Sequence, residues 1–162
     1  MVAFIRLGGI GFACGLAVSA NAQLLSRQDL SANMAIAVAT TALETCTKQG
    51  YRVSVTVVGR NGEILIQIRG DNAPPHTMEN SMRKAYTART LRVPSGDLEK
   101  RVKENPQFAL ARLTNMIANR GALPIKVGDD TIGAAGASGA PGGDKDEACV
   151  KAGIDKIAAE LK

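Results

Sequence analysis

Apolar residues recur at Leu30, Met34, Val38 and Ala42, the spacing of one helix face, and Gly50 supplies a stop. Ser26-Arg-Gln-Asp29 just ahead has the form of a capping box, so the pattern predicts a long first helix. The period then changes to two. Val53, Val55 and Val57 line one face of a strand over 51–58, and Ile64, Ile66 and Ile68 line one face of another over 63–69. Asn61-Gly62 between them predicts a tight type I′ turn, because both residues tolerate positive φ. Asp71-Asn-Ala-Pro-Pro75 cannot continue a strand, and its prolines hold the chain extended before a helix from about Thr77 to Arg92. Val93-Pro94 breaks that helix, Ser95 can cap a short turn through Lys103, and Asn105-Pro106 predicts a further helix ended by Gly121. The last third gives a strand over 123–127, a turn at Gly128-Asp-Asp130, a strand from Thr131 into an alanine-glycine run, and a closing helix capped by Asp144-Lys-Asp-Glu147.

The order helix, hairpin, helices, hairpin, helix predicts an α+β domain, an antiparallel sheet with helices packed on it. Helices from the two ends of the chain can lie side by side on one sheet face, which would bring Cys46 near Cys149.

The first residues change the picture of where the protein works. Arg6 is the one early charge, Leu7 to Val18 form a short apolar run, and Ala20-Asn21-Ala22 offers a small-x-small cleavage pattern. Residues 1–22 are therefore expected to be an export signal and residues 23–162 a single domain, periplasmic or secreted. The apolar run is too short for a membrane-spanning helix, which needs about 20 residues. Loss of Arg6 lowers the net charge from +5 to +4 (5 − 1), and the remaining basic residues alternate with acidic ones. This favours solubility and weak attraction for anions. Tyr51, Tyr86 and Phe108 are too few and too scattered for a nucleic-acid stacking surface, and no nucleic-acid partner is expected. Cys14 falls in the leader; the two remaining cysteines, Cys46 and Cys149, read in an oxidising compartment as a disulfide, as two small buried thiols, or as one reactive thiol.

Neither G-x-G-x-x-G nor G-x-x-x-x-G-K-[ST] occurs in the glycine-rich stretch 133–143, and Asp144, Asp146 and Glu147 at the following helix start would repel a phosphate. The small residues there read as permitting close packing of strand against helix or of subunit against subunit. One histidine and two cysteines cannot supply the four ligands of a structural zinc site, and no G-x-S-x-G elbow is present. No catalytic constellation assembles from these residues alone.

Arg69-Gly-Asp-Asn-Ala, Arg83-Lys-Ala-Tyr-Thr-Ala88, Gly121-Ala-Leu-Pro-Ile, Ile132-Gly-Ala-Ala-Gly-Ala-Ser-Gly-Ala140 and Asp146-Glu-Ala-Cys-Val-Lys-Ala-Gly153 resemble, in order, the GlcG/HbpS-like family of haem-binding proteins. That family is related to the C-terminal domain of some cobalamin adenosyltransferases. The resemblance implies a profilin-like fold, self-association into a homo-oligomer and, for exported members, haem binding with a sensory or iron-handling role.

His76, the single histidine, follows two prolines at a helix start, and one imidazole is enough to hold haem iron from one side. Met78, Met82 and Tyr86 are four-spaced and could lay an apolar wall, while Arg83, Lys84, Arg89 and Arg92 could meet the propionates. Tyr86, Met82 and Thr77 are the fallback ligands. The plain alternative is a solvated His76, an ordinary core stripe and a charged helix face paired with Glu79. The expected function is that of an exported haem-binding protein, non-catalytic by itself, in haem or iron handling or sensing. The alternatives are an interaction module for a membrane sensor or metabolic enzyme with incidental haem binding, and a binder of a small hydroxy acid or aldehyde.

Overall fold

The computed structural model describes residues 23–162, so the expected export signal, with Cys14, lies outside the described residues. Four α-helices and four strands follow in the order α1 (Ala32–Lys48), β1 (Ser54–Val58), β2 (Ile64–Arg69), α2 (His76–Leu91), α3 (Gly96–Glu104), β3 (Ala122–Val127), β4 (Asp130–Ser138) and α4 (Gly143–Lys156). The strands form one antiparallel sheet in the order β2-β1-β4-β3, which places β1 and the alanine-glycine strand β4 at its centre. This is the α+β architecture that the periodicity predicts. Among the described residues no helix is long and apolar enough to cross a membrane.

The period of two in β1 sends its residues to two different cores. Val53, Val55 and Val57 pack with Ile125, Ile132, Ala135 and Ala137 against Val38, Ala39 and Ala42 of α1 and Val150 of α4. The terminal helices thus share one face of the sheet, and Cys46 and Cys149 join them through a disulfide with a Cα–Cα distance of 5.5 Å. The opposite face receives α2. Its apolar patch is small, Val58, Ala85, Ala88, Ala122 and Ala134. Beside it are two buried hydroxyl pairs, Ser54 Oγ with Thr77 Oγ1 and Thr56 Oγ1 with Ser81 Oγ, each at 2.7 Å. A Cβ on Gly136 would lie 2.6 Å from Ser81 O and 2.8 Å from Ala85 N. The small residues of β4 therefore let α2 lie directly on the sheet.

Four local expectations are corrected. Helix α1 begins six residues after Ser26, with Ser31 as its cap accepting from Met34 N at 3.2 Å. Asp29 and the carbonyl of Gln28 are instead held by Arg60, which keeps this segment extended. The β1–β2 turn has only Gly62 at positive φ (82°), with Gly62 N–H donating to Gly59 O at 3.1 Å, so it is not the type I′ turn that Asn61-Gly62 suggested. Asn105-Pro106 opens no α-helix: Asn105 Oδ1 accepts from Gln107 N at 3.1 Å, and one short 3₁₀ turn, Ala109–Arg112, follows. Leu110 and Leu113 there remain exposed, so this segment gains too little apolar burial to hold a helix. Finally, α4 is preceded by Gly142 with no side-chain cap bond, because Asp146 is turned inward.

Candidate functional site

His76 opens α2 immediately after Pro74-Pro75, which cannot continue strand pairing and deliver the chain onto the sheet. The imidazole is exposed and lines two adjoining cavities. The first, about 310 Å³, is bounded by His76, Glu79, Asn80 and Arg83. Arg83 is fixed there by donating from Nη2 to Met116 O at 2.8 Å and by an ion pair with Glu79 at 3.4 Å. The second, about 390 Å³, lies between α2, the end of β4 and the start of α4, and shares His76 and Asn80 with the first.

Helical spacing divides the residues proposed from sequence. His76 and Arg83 are seven apart and share a face. Met82, Tyr86 and Arg89 recur at four and three and share another. Tyr86 is ten residues from His76, about 15 Å along the axis, and covers the β1–β2 turn, where a Cβ on Gly62 would meet its ring at 2.7 Å. Arg89 lies among charges from the same end of the sheet, with Arg92 and Arg60 opposing it and Asp130 and Glu63 favouring it. Burial, followed by those two arginines, lowers its pKa, and its Nε is buried without a hydrogen-bond partner. The structure therefore brings together His76 and Arg83, and sets Met82, Tyr86 and Arg89 apart from them. Thr77, a fallback ligand, is buried and occupied by Ser54 and by Pro74 O.

Lys84 is withdrawn from the exposed face of α2 into the wall of the second cavity. Its Nζ donates to Asp146 Oδ2 at 2.8 Å and to Ala137 O at 3.2 Å, and both side chains of the pair are 3% exposed or less. Asp146 Oδ1 accepts from Ala140 N at 3.0 Å. Burial pushes the Asp146 carboxyl up, against the pull of Lys84 and Ala140. The ion pair escapes a sequence reading because Asp146 also satisfies a helix-cap pattern and Lys84 sits in a basic run. Asn80, Asn119 and Ser138, which line the second cavity, carry no sequence signal at all. Among the described residues, no three His, Cys, Asp or Glu side chains converge on a metal position.

With this geometry in place, a family model described as "Haem degrading protein HbpS-like" matches residues 30–155. No curated protein matches the chain. The crystal structure of HbpS is 34% identical, with a TM-score of 0.77 over 85% of this chain and 94% of that one. Two more distant structures share the fold. The Klebsiella pneumoniae protein ORFY is 24% identical, with a TM-score of 0.78 over 85% of this chain and 96% of that one. A PduOC:haem complex is 21% identical, with a TM-score of 0.73 over 80% of this chain and 96% of that one.

Proposed function

Because the chain belongs to the HbpS-like family, we propose that it binds haem in an exported, haem-handling role, with His76 holding the iron from one side. The observation that carries this reading is the position of His76: a nitrogen donor at the surface, at the mouth of two cavities and on the same helix face as the anchored cation Arg83. The donor set suits the group. An imidazole ligates haem iron, and a guanidinium donates charge-assisted bonds to a propionate. Bound there, haem would supply iron redox chemistry, while this chain's residues supply the axial nitrogen and orientation. Tyr86 and Arg89 belong to the far half of α2 and Met82 to another of its faces, and none of the three takes part in this proposed site.

Export is supported by the leader pattern of residues 1–22 and by the buried Cys46–Cys149 disulfide, a bond that persists in oxidising compartments. Self-association would supply a second wall over the open side of His76.

The test is a hemin titration of the purified protein followed by absorbance, with His76→Ala alongside. A stoichiometric Soret shift lost in the variant is expected. A shift retained unchanged moves the ligand elsewhere, and no saturable shift in either protein removes the haem reading.

A further inference from the structure

The second cavity holds two buried donors that the protein does not use up. Ser138 is 3% exposed, and its Oγ accepts from Asn80 Nδ2 at 2.9 Å. Accepting leaves the hydroxyl's own proton to donate, and among the described residues nothing takes it. Lys84 has three N–H donors and gives two, to Asp146 Oδ2 and Ala137 O, so a third remains. A buried donor left without an acceptor is costly, so an incoming acceptor oxygen is favoured there. Both residues line the same space, with His76 and Asn119 at its sides and the Gly139–Gly143 loop across it. The site therefore offers two unused donors to an incoming acceptor oxygen.

The charge around it selects among acceptors. Lys84 and Asp146 largely cancel, and Asp144 and Asp146 both belong to the start of α4, which disfavours a dianion such as phosphate. A planar monoanion with two acceptor oxygens matches both donors without that penalty. We propose that this cavity is a carboxylate-binding site, with the Ser138 hydroxyl and the Lys84 ammonium as its donors and Asn80 orienting Ser138. It stands whether or not His76 ligates iron. The carboxylate has two chemical sources, the propionate arm of a haem held at His76 and a free small carboxylic acid.

The experiment uses the full protein in two arms. In the first, amide resonances of Gly139, Gly142 and Gly143 are followed by NMR during titration with sodium acetate, against sodium chloride at equal ionic strength and against inorganic phosphate. In the second, affinities for hemin and for hemin dimethyl ester are compared by absorbance. Both arms are repeated in Ser138→Ala and in Asn80→Asp, which places a carboxylate where it both accepts the Ser138 proton and repels the ligand; amide resonances outside the cavity report that each variant is folded. Saturable acetate shifts confined to the cavity, lost in both variants, assign it to a free acid. Silent acetate with hemin bound about tenfold more tightly than its ester, a difference erased in both variants, assigns it to the propionate. Equal binding of hemin and ester with silent acetate overturns the proposal, as do shifts larger with phosphate than with acetate, or effects that survive both substitutions. A His76-dependent Soret band persisting in that case leaves the haem reading intact.

Discussion

Lys84 of α2 and Asp146 of α4 meet across the end of the sheet as an ion pair, Nζ to Oδ2 at 2.8 Å, with side chains 2% and 3% exposed. The pair links elements on opposite faces of the sheet and closes the floor of the second cavity. Breaking a buried pair from one side leaves an uncompensated charge, which costs about 3–5 kcal/mol, whereas replacing both partners by apolar groups costs far less. Asp146→Ala is therefore expected to lose several kcal/mol in urea denaturation, and Lys84→Met/Asp146→Leu to lose much less. Equal losses in the two proteins would show that the charge pairing is not the source.

The disulfide closes a loop of 103 residues between α1 and α4. In the chain-entropy description a loop near that length stabilises by about 4.7 kcal/mol. Cys46→Ala/Cys149→Ala should lower Tm markedly. Both cysteines are fully buried, so reductant should act on the native protein only slowly. Intact mass after alkylation checks the pairing directly: two additions without reductant would exclude it.

Close approach of α2 to β4 depends on Gly136, whose Cβ would lie under 3 Å from two backbone atoms of α2. Gly136→Ala must push the helix away, and overpacking of this kind costs about 1–3 kcal/mol. Thermal denaturation of that variant measures it. A wild-type Tm would mean that α2 can shift without loss.

Acid stability should carry a signature of Arg60. Its Nη1 donates to Asp130 Oδ1 at 2.9 Å and holds that carboxyl below its ordinary value. The unfolded chain then binds the proton more readily, so this contribution is complete above the ordinary carboxylate pKa of about 3.9 and is lost as pH falls through the depressed value. Asp146, raised by burial, acts with the opposite sign, its contribution shrinking as pH rises above the ordinary value. Tm of Asp130→Asn between pH 2 and 6 should therefore fall less steeply below about pH 4 than that of the wild type. Added salt should shrink the difference, because Asp130 is exposed. Parallel curves would exclude the Arg60 contact as the cause.

The sequence by itself determined the elements whose signal is local. The alternation of Val53, Val55 and Val57 and the small-residue run in β4 specify a sheet with one apolar and one close-packed face, and Pro74-Pro75 marks the start of α2. It also singled out His76, since no other histidine exists. Where local signals competed with distant partners, the tertiary structure decided. Ser26-x-x-Asp29 reads as a cap until Arg60, 31 residues on from Asp29, captures the aspartate. Asp146 reads as a cap until Lys84, 62 residues away, draws it inward. Asn105-Pro106 is a sound helix start, but Leu110 and Leu113 stay exposed, so too little burial repays the ordering of a helix. The division of the α2 residues followed from the helix itself, because 3.6 residues per turn put His76 with Arg83 and turn Met82, Tyr86 and Arg89 elsewhere. The second cavity was invisible in sequence because Asn80, Ser138 and Asn119 come from three separate segments, and only the antiparallel register of β4 and the seating of α2 on it bring their polar groups around one space.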